Sequence, residues 1–297
     1  MATVDRNAAP ARAAEASGSP TARRILLGTR LRRLREAAEI SRAEAGFAIR
    51  GSESKISRLE LGRVSFKARD VTDLLTMYGV SDPEKREAFL EMVARSNEPG
   101  WWHRYTDLLA DWFQDYLGLE ESTSRIQEWE QQLIPGLLQT EDYAKAITNH
   151  GWSTMPSQDA PRQLAVRMRR QQLLNRPQAP KLWAIIDESV LHRPIGGRRV
   201  LQAQIDYLLE LTKRPHITLQ VLPYQFSGYA AEASFTTLRF AEPELPDVVY
   251  IEHLSGALYL DKRSDTELYG RVFDRLTVDA HTPDHTRQLL MKRHSEI

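Results

Sequence analysis

A dense set of hydrogen-bonding side chains lies around residue 55: Glu53, Ser54, Lys55, Ser57 and Arg58. Helical spacing places Ile56 and Leu59 inward and leaves this set on one outward face. The edges of DNA bases in the major groove are recognised by such donors and acceptors. Any short helical hairpin also exposes polar residues, so this set predicts base recognition only if its neighbours form a DNA-binding arrangement.

Capping residues divide the surrounding segment into two short helices. Ser41 with Glu44 three residues later has the capping-box pattern, so a helix is predicted from there to about residue 49. Gly51 breaks the pattern, and Ser52 can cap a further helix that ends near Gly62. We therefore predict two short helices joined by a tight turn.

Positive charge is concentrated in the N-terminal part of the chain. The whole sequence has 40 Lys and Arg and 40 Asp and Glu, a formal net charge of zero. Residues 21–69 hold 13 Lys and Arg against 5 Glu, a net charge of +8 that the rest of the chain offsets. Because DNA is a polyanion, this segregation favours a nucleic-acid-binding module at residues 21–96. Residues 25–38 have the apolar spacing of its first, amphipathic helix.

The module resembles the helix-turn-helix regulators of the xenobiotic-response-element type over residues 25–80. The resemblance is carried by SKISRLELGR at 54–63 and by the helix opening SRAE at 41–44, in ungapped spacing. It implies that Glu53, Ser54, Lys55 and Arg58 read bases. It implies as well that Arg42 and residues 62–67 contact phosphates. It also implies that Arg35 and Glu60 form a structural pair between the first helix and the recognition helix.

The sequence departs from the family pattern at the turn. Arg50 stands where Gly is usual, and Gly51 stands where a hydrophobic residue is usual. The turn therefore either keeps its place or is shifted by one residue. Glu53 is compatible with DNA if it accepts from a cytosine amino group or points aside. The predicted DNA contacts are Arg42, Arg50, Ser52, Glu53, Ser54, Lys55, Ser57, Arg58, Arg63 and Lys67.

The remaining chain predicts a second domain. Residues 97–100, NEPG, have the composition of a linker, which gives a disordered tail at 1–20, the module at 21–96 and a larger domain at 101–297. Strands are predicted at 182–186, 217–222, 234–240 and 248–252, with helices at 198–212, 264–279 and 283–294. We expect a mainly α, five-helix module followed by an α+β domain with a mainly antiparallel sheet. Parallel pairing of the first two strands stays open.

Candidate chemistry in the second domain is sparse. Asp187, Glu188 and His192 follow a predicted strand, but no nucleophile motif or Gly-rich phosphate loop accompanies them. His281 and His285 have metal-pair spacing, but a predicted helix start between them places His281 outside the helix. We therefore expect no enzyme activity, metal or cofactor; an enzyme in residues 181–260 is the less favoured alternative. The aromatic run at 101–116 is either core or a ligand surface, and the basic run at 167–170 is either solvated or a second nucleic-acid patch.

Several segments of the second domain resemble one that follows this helix-turn-helix in many actinobacterial regulators, often called antitoxin-like. They include LIPGLLQTEDYAKAI at 133–147, LWAIIDESVLHRPIGG at 182–197 and VVYIEHLSGALYL at 248–260. The resemblance implies a transcriptional regulator paired with a small acidic protein, and it does not imply an enzyme. The alternative is a protein whose main task is to bind and neutralise that partner.

Taken together, these patterns predict a cytoplasmic, nucleoid-associated homodimer on an inverted-repeat operator of double-stranded DNA. The second domain would supply dimerisation and would sense a partner protein or a small ligand. Two recognition helices would then lie one helical turn apart, roughly 34 Å. No membrane association is expected, because no run of about 18 apolar residues occurs. The absence of cysteine excludes disulfides and thiolate zinc sites.

Overall fold

A computed structural model describes residues 19–150, 159–225 and 233–297. They form two compact units, one reaching to Trp101 and including Glu242–Leu245, the other covering Trp102 to Ala241 and Pro246 to Ile297. Residues 1–18 of the predicted tail lie outside the described residues. Its last two positions belong to the first helix, because Ser19 is the N-cap and Pro20 is the first helical residue.

The first unit is entirely helical, as its apolar spacing predicts. Its core contains Leu27, Ala45, Ile56, Leu75 and Val93, one from each of its five described helices. The helices are α1 (Pro20–Ala37), α2 (Arg42–Ala48), α3 (Glu53–Glu60), α4 (Ala68–Met77) and α5 (Pro83–Ser96).

The second unit contains six further α-helices within the described residues. They are α6 (Asp111–Glu120), α7 (Glu141–His150), α8 (Ala160–Gln171), α9 (Arg198–Leu211), α10 (Arg263–Asp279) and α11 (Pro283–Glu296). Single 3-10 turns occur at Trp101–Tyr105, Gly136–Leu138, Gln172–Asn175 and Glu188–His192. The predicted helices at 198–212, 264–279 and 283–294 are present to within two residues at each end.

A six-stranded mixed sheet forms the centre of the second unit. Its strands are β1 (Thr123–Glu130), β2 (Lys181–Asp187), β3 (Ile217–Leu222), β4 (Phe235–Phe240), β5 (Val248–His253) and β6 (Gly256–Leu260). The order is β3-β2-β1-β4-β5-β6. β1, β2 and β3 run parallel, whereas β1–β4, β4–β5 and β5–β6 are antiparallel. The α+β class is confirmed, and the parallel pairing left open for β2 and β3 is present. β6 was not predicted as a separate strand.

Helices pack on both faces of this sheet. On one face, Phe273 and Leu276 of α10 pack against Trp129, Ile185 and neighbouring strand residues. On the other face, Tyr116 of α6 lies over Tyr250 of β5, with ring centroids 4.2 Å apart. Much of the aromatic run at 101–116 is therefore core: Trp102 and Tyr116 are buried.

Candidate nucleic-acid interface

Side-chain caps determine where α2 and α3 begin. The Glu44 backbone N–H donates to Ser41 Oγ at 3.2 Å, and the Ser41 N–H donates to the Glu44 carboxylate at 2.8 Å. This reciprocal capping box lowers the pKa of Glu44, because Ser41 hydrogen-bonds the charged carboxylate. At α3, the Lys55 N–H donates to Ser52 Oγ at 3.2 Å. The two caps set the first residue of each helix and so the face that each helix exposes.

The turn between α2 and α3 keeps its usual place. Arg50 adopts a left-handed conformation, with φ of 52°. Its N–H donates to the Phe47 carbonyl at 3.0 Å, and the Gly51 N–H donates to the Gly46 carbonyl at 2.8 Å, the hydrogen bonds of a Schellman motif. The alternative of a shift by one residue is therefore wrong: the left-handed position belongs to Arg50, at the strain cost that glycine would avoid.

Two glycines allow the helices to approach closely. A methyl group on Gly46 would lie 2.9 Å from the Ser52 carbonyl carbon, at the entrance to α3. A methyl group on Gly28 of α1 would overlap the end of α3, 2.6 Å from the Glu60 carbonyl oxygen. Real Cβ atoms do not make such contacts, so these positions hold α1, α2 and α3 at their close spacing.

Glu60 holds two arginines at the C-terminal end of α3. Arg35 donates to both carboxylate oxygens, at 2.5 and 3.2 Å, and also to the Ile40 carbonyl at 2.8 Å. Arg42 donates to the same carboxylate at 3.0 Å. The Glu60 and Arg35 side chains are only 4% and 9% exposed, and the hydrogen bond to Glu60 raises the pKa of Arg35. The cluster ties α1, α2 and α3 together.

Arg42 is paired with Glu60 and is also partly exposed to solvent. Its side chain is 37% exposed although its Nε atom donates to Glu60. The remaining guanidinium N–H groups can therefore still donate to a phosphate. The ion pair holds Arg42 at the start of α2, which is where the family resemblance implies a phosphate contact.

Lys55 is directed along the protein surface rather than straight outward. Its ammonium lies 2.6 Å from Oδ2 of Asp70, a largely buried residue in the first turn of α4. The Lys55 side chain is half-buried as a result. Helical spacing predicts Lys55 on the outward face. The structure shows in addition that Asp70 on the next helix, α4, holds the Lys55 ammonium group.

The outward face of α3 consists of Glu53, Ser54 and Arg58, with Ser57 half-buried beside them. Ser52 is exposed at the helix start, where its hydroxyl serves as the cap. Arg58 lies in the last turn, and no described residue forms an ion pair with it. These side chains offer an acceptor, hydroxyls and a guanidinium fork, which can pair with base edges in the major groove.

Further cations surround this face. Arg50 in the turn, Arg63 after α3 and Lys67 before α4 are exposed, and within the described residues none has an ion pair. Arg69, which was not among the predicted contacts, is also exposed, in the first turn of α4. The basic residues of segment 63–69 are the sequence signal from which Arg69 could have been predicted as a DNA contact. Uncompensated cations at the edges of a recognition helix are suited to phosphate contacts.

Phe47 on α2 is the other residue that sequence reasoning missed. It is 87% exposed next to the turn. The prediction of α2 rested on its capping residues Ser41 and Glu44, which do not indicate that the Phe47 side chain is exposed.

The candidate chemistry of the second unit forms a separate surface group. Asp187 caps the 3-10 turn that follows β2 by accepting from the Ser189 N–H at 2.9 Å, and Glu188 accepts from the Tyr224 N–H at 2.8 Å. The His281 and His285 rings lie 4.1 Å apart across the Thr282 cap of α11. Burial lowers the pKa of His281. Among the described residues, no three His, Asp or Glu side chains are grouped to hold a metal ion.

Two family models match the chain. Residues 26–89 match a helix-turn-helix domain, and residues 113–292, more than half of the chain, match the model described as Domain of unknown function (DUF5753). The chain belongs to the DUF5753 family. No curated protein and no solved structure gives a significant match.

In this DUF5753 protein the helix-turn-helix match covers α2 to α4 and parts of α1 and α5, and it includes every residue of the interface described above. The domain indicates DNA binding and a role in transcription regulation. In the three described stretches of the DUF5753 protein, no helix is long and apolar enough to cross a membrane.

Proposed function

We propose that this protein is a sequence-specific transcription regulator that inserts α3, with flanking residues from about 52 to 61, into the DNA major groove. The observation that carries the proposal is the division of charge around α3. Glu60 holds Arg35 and Arg42 at the back of the helix, while Arg58 is exposed on the outward face and has no ion pair with any residue that the structure describes. A recognition helix must be fixed on the side that packs against the protein, and the side chains that face the DNA must be free to contact bases.

In this proposal the contacts divide into two classes. Glu53, Ser54, Ser57 and Arg58 read base edges, joined by Lys55 when it leaves Asp70. The phosphate contacts come from cations around the helix: Arg42, Arg50, Arg63 and Lys67. Contacts of the first class specify the sequence, and those of the second fix the register of the protein on the duplex.

The second unit provides dimerisation in this proposal, with an operator of two inverted half-sites. The open edge of the sheet supports it. Within the described residues β6 pairs only with β5, and Leu254 and Leu258 at this edge are 98% and 52% exposed. The opposite edge is closed, because Val221 of β3 accepts from the His281 N–H at 2.9 Å and donates to Thr286 Oγ1 at 3.1 Å. A second copy that pairs antiparallel with β6 around Leu258 would cover the open edge.

In this proposal the C-terminal unit binds a partner protein or a small ligand and does not catalyse a reaction. The protein as a whole acts on DNA in the cytoplasm.

The decisive experiment is capture of genomic DNA by the purified full-length protein. The best fragment is then titrated against random DNA at two salt concentrations, because salt weakens the non-specific share of binding. We expect an inverted repeat bound on the order of a thousandfold more tightly than random DNA.

Equal affinity for the captured fragment and random DNA would overturn sequence-specific regulation by this chain alone. Co-purification of a small acidic protein in that case would favour the partner-binding role. Sedimentation of the wild type and of Leu258→Lys tests the dimer separately, because a monomer would still contact one half-site.

A further inference from the structure

The end of β1 carries two acidic residues on one face of the sheet. Glu128 and Glu130 are two residues apart, so both point to the face covered by α6 and α8. The strand neighbours of Glu128 are small, Ala184 on β2 and Thr236 on β4. The sheet order also changes direction at β1, and in open α/β sheets ligands bind outside the carboxyl ends of strands at such a point.

Glu128 is buried without a partner. It is 7% exposed, and no described residue donates a hydrogen bond to its carboxylate or forms an ion pair with it. The nearby guanidinium of Arg170 is already engaged: it donates to both oxygens of Glu120, at 2.7 and 3.0 Å, and lies over the Tyr116 ring. Burial, followed by the charge of Glu130, raises the pKa of Glu128 to about 8. An unpaired buried carboxyl group is costly and needs a reason.

Arg167, one turn before Arg170 on α8, is a second group without an ion pair among the described residues. Its one hydrogen bond within the described residues is a long one, 3.5 Å to Gln139 Oε1, and it has no ion pair there. Burial lowers its pKa, and the charges that reach it are those of Arg170 and Glu252. The predicted alternatives for the basic run, a solvated face or a nucleic-acid patch, are wrong for Arg170, whose side chain is 11% exposed and pairs with Glu120. Arg167 is half-buried.

Glu128 is an acid and Arg167 is a base, but within the described residues the two do not pair with each other. Both lie within electrostatic reach of Arg170. An anion alone would leave Glu128 without a partner, and a cation alone would leave Arg167 without one. A metal ion does not fit, because the described residues contain no suitable group of three ligands. A molecule with an ammonium group and a carboxylate satisfies both.

We infer that the second unit binds a small zwitterion of the free amino acid class between the end of β1 and α8. Its ammonium group lies against Glu128 and Glu130, and its carboxylate accepts from Arg167. The inference deepens the proposed function by naming a ligand for its sensing unit, and it rests on that function only for the effect on DNA.

Binding is tested on the full-length protein without DNA. Each common L-amino acid is titrated by calorimetry, and the best one is repeated as its methyl ester, which lacks the carboxylate, and as its N-acetyl form, which lacks the ammonium. Because the carboxyl groups must lose protons to hold an ammonium, we expect proton release. The heat will then differ between phosphate and Tris buffers.

Two variants separate the two ends of the ligand. Glu128→Gln should weaken the amino acid by at least about tenfold but leave the N-acetyl form unchanged. Arg167→Met should weaken the amino acid by a similar factor but leave the methyl ester unchanged. Matched controls are Glu141→Gln and Arg169→Met, both at exposed positions. Unchanged melting temperatures for the variants show that loss of binding is not loss of folding.

Three results would overturn the inference: no amino acid binds; the ester and the amino acid bind equally well; or the variants bind as the wild type does. If an amino acid binds but the affinity for the operator does not change, the ligand site is supported and its regulatory role is refuted. Binding without any operator preference would keep the site while the proposed function fails.

Discussion

The ammonium of Lys55 on the recognition helix lies 2.6 Å from the carboxylate of Asp70 on α4. The residue that family resemblance places among the base contacts is thus held by an acid of the same unit. We expect Lys55 to leave Asp70 when it contacts a base. The strength of this pair therefore affects both affinity and discrimination.

Replacement of Asp70 releases Lys55. We expect Asp70→Asn to bind random DNA several-fold more tightly, because an acidic charge is lost and a cation is freed. The slope of log affinity against log salt should steepen by about one. Asp73→Asn, which removes an acid from the same helix without touching Lys55, should leave that slope nearly unchanged. Weaker binding of Asp70→Asn to all DNA would show that the pair orients Lys55 for contact.

Arg58 and Lys67 should differ in what they contribute to DNA binding. Arg58→Ala should lose about 1–3 kcal/mol on the operator and little on random DNA, because it removes a base contact. Lys67→Ala should weaken both alike and reduce the salt slope by about one, because it removes a phosphate contact. Titrations of both DNAs at several salt concentrations measure this. Equal effects of the two substitutions would contradict the assignment.

Loss of Glu60 should destabilise the first unit. Glu60→Ala leaves the Arg35 guanidinium buried without its carboxylate, which costs about 3–5 kcal/mol in comparable cases. Denaturant unfolding measures the change in the free energy of unfolding. The double variant Arg35→Met with Glu60→Leu should recover most of the loss, since the charge that then lacks Glu60, Arg42, is 37% exposed and can be hydrated. A double variant as unstable as Glu60→Ala would argue against that reason.

Two residues in left-handed conformations allow stability and binding to be separated. Glu39 after α1 has φ of 56° and Arg50 after α2 has φ of 52°. Either residue changed to Gly should raise the free energy of unfolding by about 0.5–1 kcal/mol, because the backbone strain is relieved. Only Arg50→Gly should also weaken DNA binding. If both variants bind DNA as the wild type does, Arg50 makes no phosphate contact.

The buried acids of β1 should make the second unit less stable at alkaline pH. Burial raises the pKa of Glu128 to about 8 and that of Glu130 to about 7 in the folded state. The unfolded chain releases these protons near pH 4.5, so between there and pH 8 the folded state holds more protons. Stability should therefore fall as the pH rises through this window. Melting curves from pH 5 to 8.5 should show the fall, and Glu128→Gln should reduce it, whereas Glu141→Gln should not.

Local signals were enough to predict the helices of the interface. Ser41, Glu44 and Ser52 act on backbone groups two or three residues away, so their capping roles can be read from the sequence. The start of α11 at Thr282 and Pro283 was predictable for the same reason. The left-handed conformation of Arg50 in the turn was not predictable, because such a conformation is maintained by contacts that the spacing of residues in the sequence does not reveal.

Long-range relationships could not be predicted in this way. Nothing near Lys55 in the sequence indicates that Asp70 is its partner. The alternation of Glu128 and Glu130 on β1 gives no sign that α8 lies above them, since strand pattern shows which residues share a face but not what covers it. Arg167 and Arg170 therefore read as a charged surface, although the sheet buries Arg170.

The position of β1 at the centre of the sheet has a consequence for synthesis on the ribosome. Arg125 of β1 pairs with Arg239 of β4, more than a hundred residues later, whereas all the helices described in the first unit lie between residues 20 and 96. The emerging chain must carry β1 with one side unpaired until β4 has been translated. Slow, non-local pairing of this kind exposes strand edges to aggregation. Truncation before residue 235 should therefore yield insoluble protein, and translation speed across 131–234 should influence how much regulator the cell obtains.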